Sequence, residues 1–378
     1  MKKLKVVTVV GTRPEIIRLS SVIHELDKHT NHTLIHTGQN YDYELNEVFF
    51  NDLKIKKPKI FLNASSATAI ETIAKILSAI EPHLIKIKPD AFLVLGDTNS
   101  CLSAIAAKRL KIPIFHMEAG NRCFDQRVPE EINRKIVDSI ADINLPYSDI
   151  SREYLLREGF PSEKIITTGS PMYEVINKNY EGILDSNILF DLGIEPKEFF
   201  LVSCHREENV DSKAMLLQLI DILNSISSSF QKKVIFSLHP RTKKMLNNLK
   251  IKLNPNIIFH KPFGFQDYLK LQCTSFATLS DSGTITEEAS ILNFPALNIR
   301  EAHERPEGME EAAVMMTGLN KKRILQCLNI IKRQSRDDNK RDILIPRNYS
   351  NPNVSKKVLR IIHSYVDFVN KKTWYKQN

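Results

Sequence analysis

The chain has 378 residues, 42% of them hydrophobic and 26% charged, which suits a folded globular protein and excludes a disordered, collagen-like or low-complexity one. Its net charge of +9 does not argue for nucleic acid, because the excess sits in the tail, where Lys321 to Asn378 carries fifteen Lys or Arg against four Asp or Glu. Those basic residues alternate with apolar ones, as in Val358-Leu359-Arg360-Ile361-Ile362, so they read as the solvated faces of amphipathic helices, and no nucleic-acid motif accompanies them.

The first apolar run, Leu4–Val10, predicts a strand. It is too short for a signal-peptide core and leads straight into a motif. Further strands are predicted at Thr33–Thr37, Ala91–Leu95, Ile112–His116, Ile143–Leu145 and Ile165–Thr168, with helical patterns such as Ala69–Ile80 and Ser100–Leu110 between them. Continuous apolar strands separated by helices predict a parallel sheet covered on both faces. A polar stretch around Asn177 to Lys197 follows, and the pattern restarts with Phe199–Ser203, Lys233–Leu238, Asn256–His260, Phe276–Leu279 and Ala296–Ile299. The expected fold class is therefore α/β, with two Rossmann-like, doubly wound domains and a cleft between them. Residues 1–175 form the first domain, 190–360 the second, and 361–378 a terminal helix or tail. The five cysteines are scattered with no CxxC pair, which indicates neither a disulfide framework nor a zinc site. No apolar stretch reaches membrane-spanning length. The expectation is a cytoplasmic protein that binds neither nucleic acid nor membrane.

In open α/β sheets ligands lie beyond the carboxyl ends of the strands, so the residues there carry the argument for chemistry. Gly11-Thr12-Arg13-Pro14-Glu15 follows the first strand, with a glycine for a tight turn and a proline for the first helical turn. With Arg13 and Arg18, this helix start predicts an anion site. It is not the GxGxxG fingerprint, and no GxxxxGK[ST] occurs, so NAD and P-loop readings lose their support. Three acids then follow at strand ends or loops of one sheet: Asp97 in Gly96-Asp97-Thr98-Asn99, Glu118 in His116-Met117-Glu118-Ala119-Gly120, and Glu130 in Pro129-Glu130-Glu131-Ile132-Asn133-Arg134. Asp97 also reads as a helix cap and Glu130 as a first-turn acid. Neither alternative explains Glu118, a charge at the close of an apolar strand, which costs free energy unless it is used or paired. In the rear half, His205 and Arg206 follow one strand and His239-Pro240-Arg241 the next, while Ser282, Gly283 and Thr284 open a helix that contains Glu288. Small residues there predict a phosphate cradle. Arg300 and Glu304-Arg305-Pro306-Glu307 follow the last strand.

In this order, over nearly the whole chain, these segments resemble the non-hydrolysing UDP-N-acetylglucosamine 2-epimerase family. The resemblance implies a glycosyltransferase-B architecture, a homodimer, a UDP-linked N-acetylhexosamine as substrate, and neither metal nor redox cofactor. Asp97, Glu118 and Glu130 match the family's catalytic carboxylates and His205 its active-site histidine. Arg13, Arg18, His205, Arg206, Ser282, Gly283, Thr284 and Glu288 fall at its UDP-binding positions, with Glu288 on the ribose hydroxyls. Arg18 stands where many members have Lys. The implied chemistry is expulsion of UDP from C1, which acidifies the C2 hydrogen, its removal by a carboxylate to leave a glycal, and return of proton and UDP to give the C2 epimer. Two faces need two proton-transfer groups.

The departures from the common pattern matter too. Asn121-Arg122-Cys123-Phe124-Asp125-Gln126-Arg127-Val128 is shorter by two residues than the usual loop between the acids, and Gly38-Gln39-Asn40-Tyr41-Asp42-Tyr43 replaces a Gln-His-Arg-like stretch. Both resemble the branch that forms UDP-N-acetyl-L-fucosamine. Asn121, Arg122, Phe124 and Arg300 are therefore expected at the sugar, with Phe124 offering apolar surface to a C6 methyl. An epimerase acting on UDP-N-acetylglucosamine and, in another class, a UDP-sugar glycosyltransferase are the alternatives.

Overall fold

The computed structural model describes residues 2–39, 49–126, 128–204, 213–238, 246, 253–301 and 304–376. The chain divides into two compact units, one made of Met1–Lys178 with Arg347–Asn378 and the other of Asn179–Pro346.

The first unit is built on six parallel strands, β1 (Lys5–Val10), β2 (Asn31–His36), β3 (Ile60–Phe61), β4 (Ala91–Leu95), β5 (Ile114–Met117) and β6 (Ile143–Leu145), in the order β3-β2-β1-β4-β5-β6. The second repeats the design with β7 (Phe199–Ser203), β8 (Lys233–Ser237), β9 (Ile257–His260), β10 (Ala277–Ser280), β11 (Ala296–Asn298) and β12 (Met315–Met316), ordered β12-β11-β10-β7-β8-β9. Both are the doubly wound order in which the first strand of the set is central and the winding reverses between it and the fourth. The α/β class and the two Rossmann-like domains expected from the sequence are thus the observed ones. Val7, Val9, Ile35, Phe92, Val94 and Ile114 bury one core, and Phe200, Val202, Val234, Phe236 and Leu279 bury its counterpart.

The run Ile165–Thr168, expected as a strand, forms only an isolated bridge from Ile165 to Asn144. Two amides, Ile166 N–H to the Asn144 carbonyl and Thr168 N–H to Pro146, hold it at the sheet edge, and this is too little to extend a ladder.

The second unit closes at Pro346 and not at residue 360, and the tail belongs to the first unit. The cause is the helix Val354–Lys372, which buries Val354, Val358, Ile362, Val366 and Val369, a stripe at helical spacing. It packs against the helix Arg13–His29. Glu174 accepts from the Ser355 amide (2.8 Å) and hydroxyl (2.5 Å), and the Lys357 ammonium donates to the carbonyls of Thr167 (3.1 Å) and Thr168 (2.9 Å). Each apolar side chain so buried contributes about 1.5–3 kcal/mol.

Candidate active site

At the end of β1, Gly11 is needed for close approach: a Cβ there would lie 2.3 Å from Thr37 Oγ1. The helix start beyond it holds an anion supplied by the chain itself. Glu15, 2% exposed, accepts from the Gly11 amide (2.6 Å), the Thr12 amide (2.7 Å) and the hydroxyls of Thr12 (3.0 Å), Thr98 (2.9 Å) and Ser100. Burial lifts the Glu15 carboxyl above its ordinary value, with the hydrogen bonds from Ser100, Gly11, Thr98 and Thr12 pulling the other way. The amides that the sequence assigns to an outside anion are thus engaged by Glu15. Thr12-x-x-Glu15 is a capping-box signature, so this residue was readable and was missed. Arg13 lies with its guanidinium 5.8 Å from the centre of the Phe49 ring, and Arg18 donates through Nη1 to Glu118.

The three acids sit on neighbouring segments. Leu95 of β4 and Met117 of β5 are register partners, so Asp97 and Glu118 leave adjacent parallel strands side by side. Asp97 accepts from Nε (3.1 Å) and Nη2 of Arg134, whose Nη1 donates to the fully buried Glu131 (2.7 Å). Asn133 donates to the Asp97 carbonyl at 2.9 Å. Arg134 and Asn133 lie on the helix Pro129–Ile140, whose second residue is the half-buried Glu130. That helix therefore brings its amino end to the end of β4. Glu118 is 5% exposed, adopts φ +65° and accepts from Asn121 Nδ2 (3.2 Å) besides Arg18. The left-handed backbone costs a non-glycine residue about 1–3 kcal/mol and is characteristic of functional turns. The charge predicted to be costly at this strand end is thus paired.

Beneath the acids lies a buried polar network. His116 places Nδ1 2.9 Å from Asp138 Oδ1 and donates Nε2–H to the Gly96 carbonyl at 2.8 Å. Arg122 donates to Asp138 (2.8 Å), to the Asn121 carbonyl (2.7 Å), and through Nε and Nη2 to Glu158 (2.7 and 2.5 Å). Arg122, expected at the sugar, therefore spends its donors on structure. Asn121 joins Glu118 to the Ser151 hydroxyl (3.1 Å). Phe124 is 67% exposed at φ +56° and meets the Tyr154 ring edge-on at 5.2 Å.

In the second unit, the turn after β10 is made by Ser282, Gly283 and Thr284, with Ser282 Oγ 2.9 Å from Thr284 Oγ1 and accepting from the Thr284 amide at 3.3 Å. The helix Ile285–Leu292 follows and carries Glu288, which accepts from Gln272 Nε2 at 2.7 Å. Tyr268 belongs to the same group: burial raises its hydroxyl pKa, Glu288 adds to the rise, and bonds with Ser203 and Ser280 oppose it. Arg300 donates to Glu304 at 3.3 Å, and Glu304 Oε2 lies 3.6 Å from where a Gly283 Cβ would stand. Arg305 Nε reaches Glu287 at 3.2 Å. Arg300, Gly283 and Glu288 thus gather at one end of this sheet. His205, Arg206, His239, Arg241 and the Asn40–Tyr43 stretch lie outside the described residues. Among the described residues no cluster of His, Cys, Asp or Glu is suited to a metal, and no helix is long and apolar enough to cross a membrane.

A family model described as UDP-N-acetylglucosamine 2-epimerase matches residues 24–363. The chain belongs to this family. It is similar to the solved structure of a UDP-N-acetylglucosamine 2-epimerase from Rickettsia bellii, with 52% identity and a TM-score of 0.92 over 99% of this chain and 100% of that one. It is similar as well to the Methanocaldococcus jannaschii UDP-GlcNAc 2-epimerase solved in complex with UDP-GlcNAc and UDP, at 35% identity and a TM-score of 0.88, covering 96% of this chain and all of that one. A Pseudomonas aeruginosa UDP-2,3-diacetamido-2,3-dideoxy-D-glucuronate 2-epimerase is 32% identical over 335 residues, 85% of this chain and 91% of that protein. The chain is accordingly an isomerase of the UDP-sugar 2-epimerase type. In this epimerase the ends of adjacent strands carry paired carboxylates, and an acid held by arginine and amide donors keeps its oxygens oriented.

Proposed function

We propose that this epimerase inverts C2 of a UDP-linked N-acetylhexosamine by eliminating and re-adding UDP through a glycal, without metal or redox cofactor, as a cytoplasmic homodimer. Asp97, Glu118 and Glu130 are its proton-transfer groups. Ser282, Gly283, Thr284 and Glu288 hold UDP, together with Arg13, Arg18, His205 and Arg206. Arg300, Asn121 and Phe124 address the sugar, and Arg122 supports them from below. The observation that carries this reading is the gathering of Asp97, Glu118 and the Glu130 helix at the carboxyl ends of two adjacent strands, with Arg134 and Arg18 orienting the first two.

The substrate proposed is the 6-deoxy sugar UDP-2-acetamido-2,6-dideoxy-L-talose, giving UDP-N-acetyl-L-fucosamine for surface polysaccharide synthesis. Phe124 supports it, because its ring is 67% exposed and touches Tyr154 only by its edge. An apolar surface without a hydroxyl partner favours a methyl by about 1–3 kcal/mol. UDP-N-acetylglucosamine is the second reading, favoured by the names of the relatives. Proton NMR of both UDP-sugars in deuterated water tests the proposal. Solvent deuterium should appear at C2 of the product with no nicotinamide added, whereas full retention of the C2 hydrogen or dependence on NAD refutes it. Turnover of UDP-N-acetylglucosamine equal to or better than that of the 6-deoxy sugar refutes the substrate and leaves the reaction standing.

A further inference from the structure

Asp138 lies in the body of the helix Pro129–Ile140, has no exposed side-chain surface, and is used by no step of the reaction proposed above. It is nevertheless held at three points along the stretch that runs from β5 into the loop beyond it. His116 Nδ1 approaches its Oδ1 at 2.9 Å, Arg122 Nη1 its Oδ2 at 2.8 Å, and the Gly120 amide both oxygens at 3.3 and 3.2 Å. Through these partners it reaches each proposed acid. His116 grips the carbonyl of Gly96, the residue before Asp97. Gly120 lies two residues beyond Glu118, and its own geometry is fixed, since at φ +77° a Cβ would lie 2.3 Å from the Ser151 carbonyl. Glu130 stands two turns earlier on Asp138's own helix.

We infer that Asp138 is a positioning residue which, with His116 and Arg122, sets the spacing of Asp97, Glu118 and Glu130 relative to one another. The inference rests on those three acids being the proton-transfer groups. Stability alone does not call for this arrangement, because replacing a buried ion pair by apolar residues of similar volume is often neutral or stabilising. Spacing does. In the elimination the C2–H pair becomes the C1=C2 bond as the C1–O bond breaks and its electrons leave with UDP, and the proton passes to one acid. Inversion then needs a proton from a second acid on the opposite face, while return from the first face regenerates substrate. A displacement of about 1 Å can cost about 10²-fold in rate, so loosened spacing should harm the second transfer more than the first.

The test uses Asp138→Asn and His116→Gln in the full chain, turning over the UDP-sugar in deuterated water. It reads deuterium at C2 of recovered substrate, product formation, UDP affinity by calorimetry and the melting curve. The expected result is unchanged UDP binding, inversion slowed by about 10²-fold, and a several-fold rise in the ratio of substrate exchange to inversion. Exchange and inversion falling together, at a constant ratio, overturns the inference, since a smaller folded fraction would do the same. Should both variants fail to fold, Arg122→Lys, which keeps the charge but not the paired geometry, is read by the same ratio. Absence of solvent deuterium at C2 of the product formed by the unaltered enzyme is a different failure, that of the proposed reaction itself.

Discussion

Glu118 turns the chain out of the sheet at φ +65° while its carboxylate faces Arg18 and Asn121. Side chain and backbone are both committed, so its replacement should act on chemistry more than on nucleotide binding. Asp97→Asn, Glu118→Gln and Glu130→Gln should each lower turnover by about 10²–10⁴-fold with UDP affinity nearly intact, and Glu288→Ala should weaken UDP first. Calorimetry showing the opposite pattern would overturn the division of labour. Glu15→Gln confronts amide and hydroxyl donors with an NH₂ group, and should cost about 1–3 kcal/mol of stability, read from urea unfolding. An unchanged urea midpoint would show that the Glu15 cluster is not holding the two strand ends. Glu118 was legible in the sequence because a charge closing an apolar strand demands a reason. Arg122 was not, because an arginine beside a motif looks alike whether it meets a sugar or a buried acid, and its partners Asp138 and Glu158 lie 16 and 36 residues away.

His36 closes β2, stacked on Phe61 at 4.8 Å and accepting the Gly38 amide through Nδ1 at 3.0 Å. Burial pushes it from 6.5 down to about 4. The unfolded chain therefore takes up a proton below about pH 6.5 that the folded chain refuses until about pH 4. Stability should fall as the pH drops through that window, by up to about 1.4 kcal/mol per unit. His36→Asn, which keeps an acceptor for Gly38, should flatten the slope of urea midpoint against pH, and an equal slope in the variant would exclude His36 as its source. At this scale Ala91–Leu95, Ile143–Leu145 and Phe199–Ser203 carry the expected bounds, whereas the fully buried Ile114–Met117, Ala277–Ser280 and Ala296–Asn298 are shifted or shortened by one or two residues, because an apolar run marks a strand but not the residue at which its ladder stops. The strands Ile60–Phe61 and Met315–Met316 are too short to show any pattern, and the helix from Ala69 runs on through Pro82 to Ile87, past the expected stop at Ile80.

Polar residues after Asn177 announced the passage from one unit to the next, but nothing in the tail says which unit its helix covers. An amphipathic stripe specifies that a face is buried, not against what. Ile362, fully buried on that helix, should report the answer. Ile362→Ala should cost about 2–5 kcal/mol, and hydrogen exchange should show the lost protection in Met1–Lys178 and Arg347–Asn378, the first unit. Loss confined to Asn179–Pro346 would contradict the packing. The return of the chain also sets an order of events during synthesis. All three proposed acids have left the ribosome by Glu130, yet the helix that completes their unit emerges only with residues 354–372, after the whole of the second unit. The unit that begins to be translated first must wait, unfinished, for residues 354–372. The unit translated in the middle is one uninterrupted piece and can close before it, so the part proposed to hold the nucleotide should form in the newborn protein ahead of the part proposed to move protons.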